Sequence, residues 1–163
     1  MFDVAIIVLA RAIHVIAGVT WAGAMFLLAA AILPAARATG GGAWFGALMR
    51  RVGPLSGISS LLTVISGAYL FFGLHAHDST LGGWVLRVGA IAALLAMIVG
   101  FTVGRPAGLE LARVQQAGED TPERRARIGA LGRRVTSSVH ATAGLMALST
   151  LAMAVFRYVI ALA

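Results

Sequence analysis

Four stretches of this sequence stay apolar over lengths that only a bilayer rewards: residues 4–34, 54–74, 84–104 and 136–161. At about 1.5 Å of rise per residue, each is long enough as a helix to cross a hydrocarbon core of about 30 Å. No Asp or Glu falls inside any of them. Lipid offers backbone amides no hydrogen-bond partner, so spans of this kind must be helices. The fold class expected is all-α, an integral membrane four-helix bundle forming one transmembrane domain, with a polar cytoplasmic segment over 105–135. Composition agrees, with 60% of residues hydrophobic and 12% charged, where a soluble domain carries about 25% charged residues. Disorder and a soluble enzyme are excluded together. The chain has no cysteine, which removes thiolate zinc sites, iron–sulfur clusters and cysteine nucleophiles.

Punctuation residues set the expected boundaries. The first span is expected to end at Pro34, and Gly53-Pro54 to open the second. Gly82-Gly83-Trp84 precedes the third, which is expected to stop at Gly104-Arg105-Pro106. In the polar segment, Gly118-Glu119-Asp120 reads as a break and Thr121-Pro122 as a cap and first turn. The fourth helix is therefore expected to start near Pro122, before its apolar part. Asp3 stands where a signal peptide would carry basic residues, and the apolar run is about twice a usual h-region, so the first span is expected to stay in the mature protein.

All 13 basic residues are Arg. Ten lie after the first span or between the third and fourth: Arg37, Arg50, Arg51, Arg105, Arg113, Arg124, Arg125, Arg127, Arg133 and Arg134. Arg11, Arg87 and Arg157 sit inside span ends. The positive-inside rule then places both termini on the non-cytoplasmic side. A sequence pI near 11.7 reflects this bias and not nucleic-acid binding, which the apolar content argues against.

Ionisable residues within a membrane are costly and mark candidate sites. Here they are Arg11, His14, Arg87, His140 and Arg157. Arg11, His14, Gly18, Trp21 and Met25 follow spacings of three and four on one face of the first span. His14 lies roughly 15 Å below the outer end by helix rise, with Arg11 and Arg87 shallower. A deep imidazole with guanidinium groups nearer water suits a haem, with iron inside and propionates outward. Gly18 would leave room beside the ring, and Trp21 would close the floor. The plain alternative is a His bonded to Ser or Thr of a neighbouring helix, with snorkelling Arg. His140 is expected near the cytoplasmic end, too far along the bundle to share an iron with His14.

His75 and His77, before Asp78, are a candidate copper or zinc pair. Ser56, Ser59, Ser60, Thr63, Ser66 and Gly67 in the second span, and Gly100-x-x-x-Gly104 in the third, read as close-packing positions. Met25, Met97, Met146 and Met153 read as core filler.

The stretch Arg11-Ala-Ile-His-Val-Ile-Ala-Gly-Val-Thr-Trp-Ala-Gly-Ala-Met resembles the first helix of the HemJ-type protoporphyrinogen oxidases and of the related CopD copper-resistance domain. Leu48-Met-Arg-Arg-Val, Ile65-Ser-Gly-Ala-Tyr-Leu and Gly83-Trp-Val-Leu-Arg look like the same group, and the resemblance covers roughly residues 8–100. It implies a bacterial inner-membrane bundle binding b-type haem through His14. The HemJ group places a Lys where this chain has Arg87, and Arg stays charged and does not ligate iron. What carries over is a haem site with His14 as ligand and Arg87 as anchor. The ending from Ser138-Val-His-Ala to Phe156-Arg-Tyr looks closer to the CopD side.

The leading expectation is a haem b membrane protein acting in electron transfer or oxidation of a hydrophobic substrate, with a redox partner protein. The alternatives are copper handling through His75 and His77, and a non-catalytic membrane subunit. A homo-oligomer is compatible with each.

Overall fold

The computed structural model describes residues 3–40, 42–116 and 120–159. Every element in it is helical: α1 (Val4–Leu27), α2 (Leu33–Ala38), α3 (Gly42–Leu74), α4 (Leu81–Val99), α5 (Arg105–Gln116) and α6 (Pro122–Val159). Short π-helical turns, Leu28–Ile32 and Gly100–Gly104, join α1 to α2 and α4 to α5 without a break. The result is four long helices, each apolar and extended enough to cross a membrane.

The prolines therefore do not end the helices where the sequence suggested. Proline lacks an N–H, and its ring collides with the carbonyl four residues back. Leu33 donates its N–H to Leu28, five residues back, and Arg105 does the same to Gly100. The wider turn just ahead of Pro34 and Pro106 accommodates the ring and lets the helix run on. Nor does Gly53-Pro54 open a helix: α3 starts at Gly42 and Pro54 lies about three turns inside it, where the missing N–H leaves the Arg50 carbonyl without its helical donor. The fourth helix does start at Pro122, and the Thr121 hydroxyl caps it by accepting from the Arg124 N–H at 3.2 Å. The Gly118-Glu119 part of the expected break, and the span end at 161, lie outside the described residues.

Burial is inverted relative to a soluble protein. Interior positions hold Ala, Ser, Thr and Gly, while Ile16, Val19, Ile65 and Phe72 are exposed. Where lipid removes any hydrophobic drive between helices, small residues let backbones approach and large apolar ones face the acyl chains. The central cluster joins Trp21, Ala22, Met25 and Leu28 to Ala96 of α4 and Ala143 and Met146 of α6. Met25 and Met146 are thus core residues, as expected of methionines read as core filler.

Helix α1 packs along α3, and α4 along α6. The two pairs meet mainly through α1 and α6, whereas α3 and α4 touch only sparingly. Beyond the π turn, α5 continues α4 and packs against α6. The polar segment 105–135 is thus a helical extension of the bundle, fastened where Arg124 donates to the Val114 and Gln115 carbonyls at 2.9 and 2.8 Å.

Candidate functional site

Asp3 starts α1 by accepting from the Ala5 N–H at 2.9 Å. The helix then carries His14 to a point between α1 and α3, where its Nδ1 lies 2.8 Å from the Thr63 carbonyl. A carbonyl can only accept, so Nδ1 carries the proton. In the neutral ring this leaves the lone pair on Nε2, which has no hydrogen-bond partner among the described residues. The ring is held edge-on by α3: a Cβ added at Gly67 would stand 2.7 Å from His14 Cε1 and 3.0 Å from Nδ1. Only glycine permits that approach. Ser66 Oγ lies 3.4 Å from Nδ1.

Three hydroxyls of α3 are tied to their own helix, while the buried Ser56 Oγ has no hydrogen-bond partner among the described residues. Ser60 donates to Gly57, Thr63 to Ser59, and Ser66 to Leu62 and Thr63. They pack the α1–α3 contact, as the sequence suggested. Thr63, Ser66 and Gly67 also surround His14, an arrangement that matches the plain alternative of a His bonded to Ser or Thr of a neighbouring helix, though which residues take part was not expected. Their signal was the spacing of three and four, which placed them on one face.

Other expected site residues are distributed differently. Gly18 does not face an empty gap, because a Cβ there would meet the Thr63 side chain at 3.7 Å. Its small size brings α3 close to α1. Trp21 belongs to the central core at 3% exposure, packed towards α4 and α6. Arg11 is exposed and makes no ion pair among the described residues. The clefts lined by Thr102 to Arg134 and by Phe71 to Ile91 do not include His14.

Arg87 stands apart from His14, in contact with the turn between α3 and α4. Its Nη2 donates to the Ala76 carbonyl at 3.4 Å, and its guanidinium lies 4.7 Å from the Trp84 ring centre. In that turn Asp78 accepts from the Thr80 N–H and hydroxyl at 3.0 and 2.6 Å. Those bonds, the hydroxyl's first, hold the Asp78 carboxyl below its ordinary range, with His75 and Arg87 adding to the effect. Thr80 in turn caps α4, accepting from Gly83 at 3.2 Å.

The two histidines of the candidate copper pair have different surroundings. His75 rests edge-on against Phe156, ring centres 5.7 Å apart, with Nδ1 at 4.0 Å from Asp78, while His77 is exposed. Among the described residues no three His, Asp or Glu side chains gather as a metal site. His140 is exposed and bonds back to the Thr136 carbonyl at 2.8 Å, on α6 and without contact to His14. Comparison with protein-family models, with curated proteins and with solved structures finds no match for this chain.

Proposed function

We propose that this chain is a membrane haem b protein of HemJ-like type in which His14 is an axial ligand, serving electron transfer or oxidation of a hydrophobic substrate. The observation that carries the reading is the bond from His14 Nδ1 to the Thr63 carbonyl. Imidazoles that ligate iron or zinc are commonly fixed this way, the bonded nitrogen setting the tautomer and the other nitrogen donating to the metal. The donor chemistry therefore fits one axial bond through Nε2. Thr63 holds the ring's orientation, Gly67 admits its edge, and Arg11, one turn outward, offers an unpaired guanidinium to an anionic propionate. Haem bound there supplies a one-electron carrier. The orientation that goes with this reading puts the Arg-rich end in the cytoplasm of a bacterial cell and both termini outside.

Copper handling has less to rest on, since His75 is engaged with Phe156 and Asp78. The test is the absorption spectrum of protein purified after expression with ample haem. A Soret band is expected in the parent and in His140→Ala, and its loss in His14→Ala that still elutes as the parent does. No band in the folded parent, or an unchanged band in His14→Ala, overturns the proposal and leaves a non-catalytic membrane subunit as the reading.

A further inference from the structure

Where α3 and α4 touch only sparingly, a cleft of about 330 Å³ opens beside the His75–Thr80 turn, lined by Phe71, Trp84, Arg87, Val88, Ala90 and Ile91. The surface it presents is almost wholly apolar, and the Arg87 guanidinium and the Trp84 N–H contribute scarcely any of it. Trp84, Val88 and Ile91 are exposed at 59%, 49% and 58%, on the flank of α4 that no other helix covers, so the cleft opens sideways to lipid. Its volume lies at the low end of clefts that bury small ligands, roughly 300–1,000 Å³.

No ion pair within 4 Å holds the charge at this cleft, although Arg87 acts on the Asp78 carboxylate from farther away. Arg87 touches a carbonyl and an aromatic face, both of which orient it and leave its charge intact. The acid closest in the chain, Asp78, is engaged by Thr80. The ion pairs among the described residues join His75 to Asp78, Arg125 to Asp120 and Arg127 to Glu110, and none includes Arg87. A half-buried guanidinium in a membrane protein wants an anion, and its planar fork suits the oxygens of a phosphate. Trp84 beside it is the residue type that settles at headgroup level.

We infer that this cleft seats an anionic glycerophospholipid, its phosphate on Arg87 and one acyl chain against Val88 and Ile91. The charge selects the headgroup, and the apolar, laterally open walls select the chain. A dissolved anion would satisfy the charge alone and leave the apolar walls uncovered. The inference stands apart from the haem reading, because Arg87 and His14 share no contact.

The full chain is purified in mild detergent and returned to bilayer discs of phosphatidylcholine alone or with phosphatidylglycerol. Bound lipid is counted by native mass spectrometry, and the thermal midpoint is recorded. Phosphatidylglycerol is expected to remain bound and to raise the midpoint. Arg87→Gln should lower its retention about fivefold, the loss expected for one Arg near an anionic surface, while Arg87→Lys retains part of it. Ala90→Phe fills the cleft without touching the charge and should also release the lipid, whereas Arg157→Gln, at the same end of the bundle, should not. Undiminished retention in Arg87→Gln or in Ala90→Phe overturns the assignment. Equal stabilisation by glycerol phosphate, which has no acyl chain, overturns it in favour of a free-anion site. The visible spectrum is unaffected in every arm, so failure here is distinct from failure of the haem reading.

Discussion

At the scale of single residues, His14 against Gly67 is one of the tightest side-chain fits among the described residues. The sequence showed His14 as a costly intramembrane group but placed its free space at Gly18, one turn along the same helix. Which residue stands opposite is decided by the crossing of two helices, and spacing within one helix does not contain that information. Opposite Gly18 stands Thr63, and the backbone approach occurs at Gly67 on the partner helix. Gly67→Ala should therefore act on the imidazole directly. Its methyl would lie 2.7 Å from His14 Cε1, forcing the ring to turn or the helices to part, at a cost of about 1–3 kcal/mol as for other overpacked interiors. The bond to the Thr63 carbonyl would be lost with it. Gly23→Ala is the matched control, since a Cβ there meets nothing within 4 Å. It should be neutral or stabilising by about 0.5–1 kcal/mol, the ordinary gain of Ala over Gly in a helix. Reversible unfolding in detergent compares the two, and a Gly67→Ala protein as stable as Gly23→Ala would show that the contact is slack.

At the scale of elements, hydropathy made the four apolar runs legible, and proline chemistry misplaced their ends. The rule that a helix stops before proline holds in water, where freed carbonyls find solvent. Near lipid a π turn that absorbs the ring leaves fewer backbone groups unpaired, and this chain uses the device twice, before Pro34 and before Pro106. Gly100-x-x-x-Gly104 shows the same mixture. Gly104 does admit a neighbour, with Ser138 Oγ 2.9 Å from its would-be Cβ, but Gly100 meets nothing and lies in the π turn. An equally close contact, of α4 itself with α6, is at Gly89, where a Cβ would stand 2.9 Å from Ala152 Cβ and 3.3 Å from the Ser149 carbonyl. Gly89→Ala should weaken this pair of helices, and Ala152→Gly should restore part of the loss by removing the opposing methyl. A double-mutant cycle read by thermal or denaturant unfolding should give a coupling of about 0.5–3 kcal/mol, the range for residues in contact. Strict additivity would mean that the helices separate as a unit and that the two positions do not meet.

For the molecule as a whole, the bundle's two ends differ in kind. One end, formed by α2, the first turns of α3 and the α5–α6 extension, gathers ten of the 13 Arg. The other end holds the start of α1, the His75–Thr80 turn and the last turns of α6, with Arg11, Arg87 and Arg157 the arginines towards it. An even number of spans puts the first and last helix ends on one side, so a single orientation fixes both. Translocating ten arginines is the expensive alternative, because Arg close to a span resists transfer across the cytoplasmic membrane. Four acidic residues share the Arg-rich end, at 110, 119, 120 and 123. They do not relax the expectation, since acidic residues contribute little to orientation. Reporter fusions after Arg51 and after Arg125 should therefore read as cytoplasmic, and a fusion after His77 as external. The same orientation places His14 and Arg11 in the outer half of the membrane, so an electron partner of a haem held there would approach from outside the cell. A cytoplasmic reading at His77 would invert the protein, and with it the compartment from which both the His14 site and the Arg87 cleft are reached.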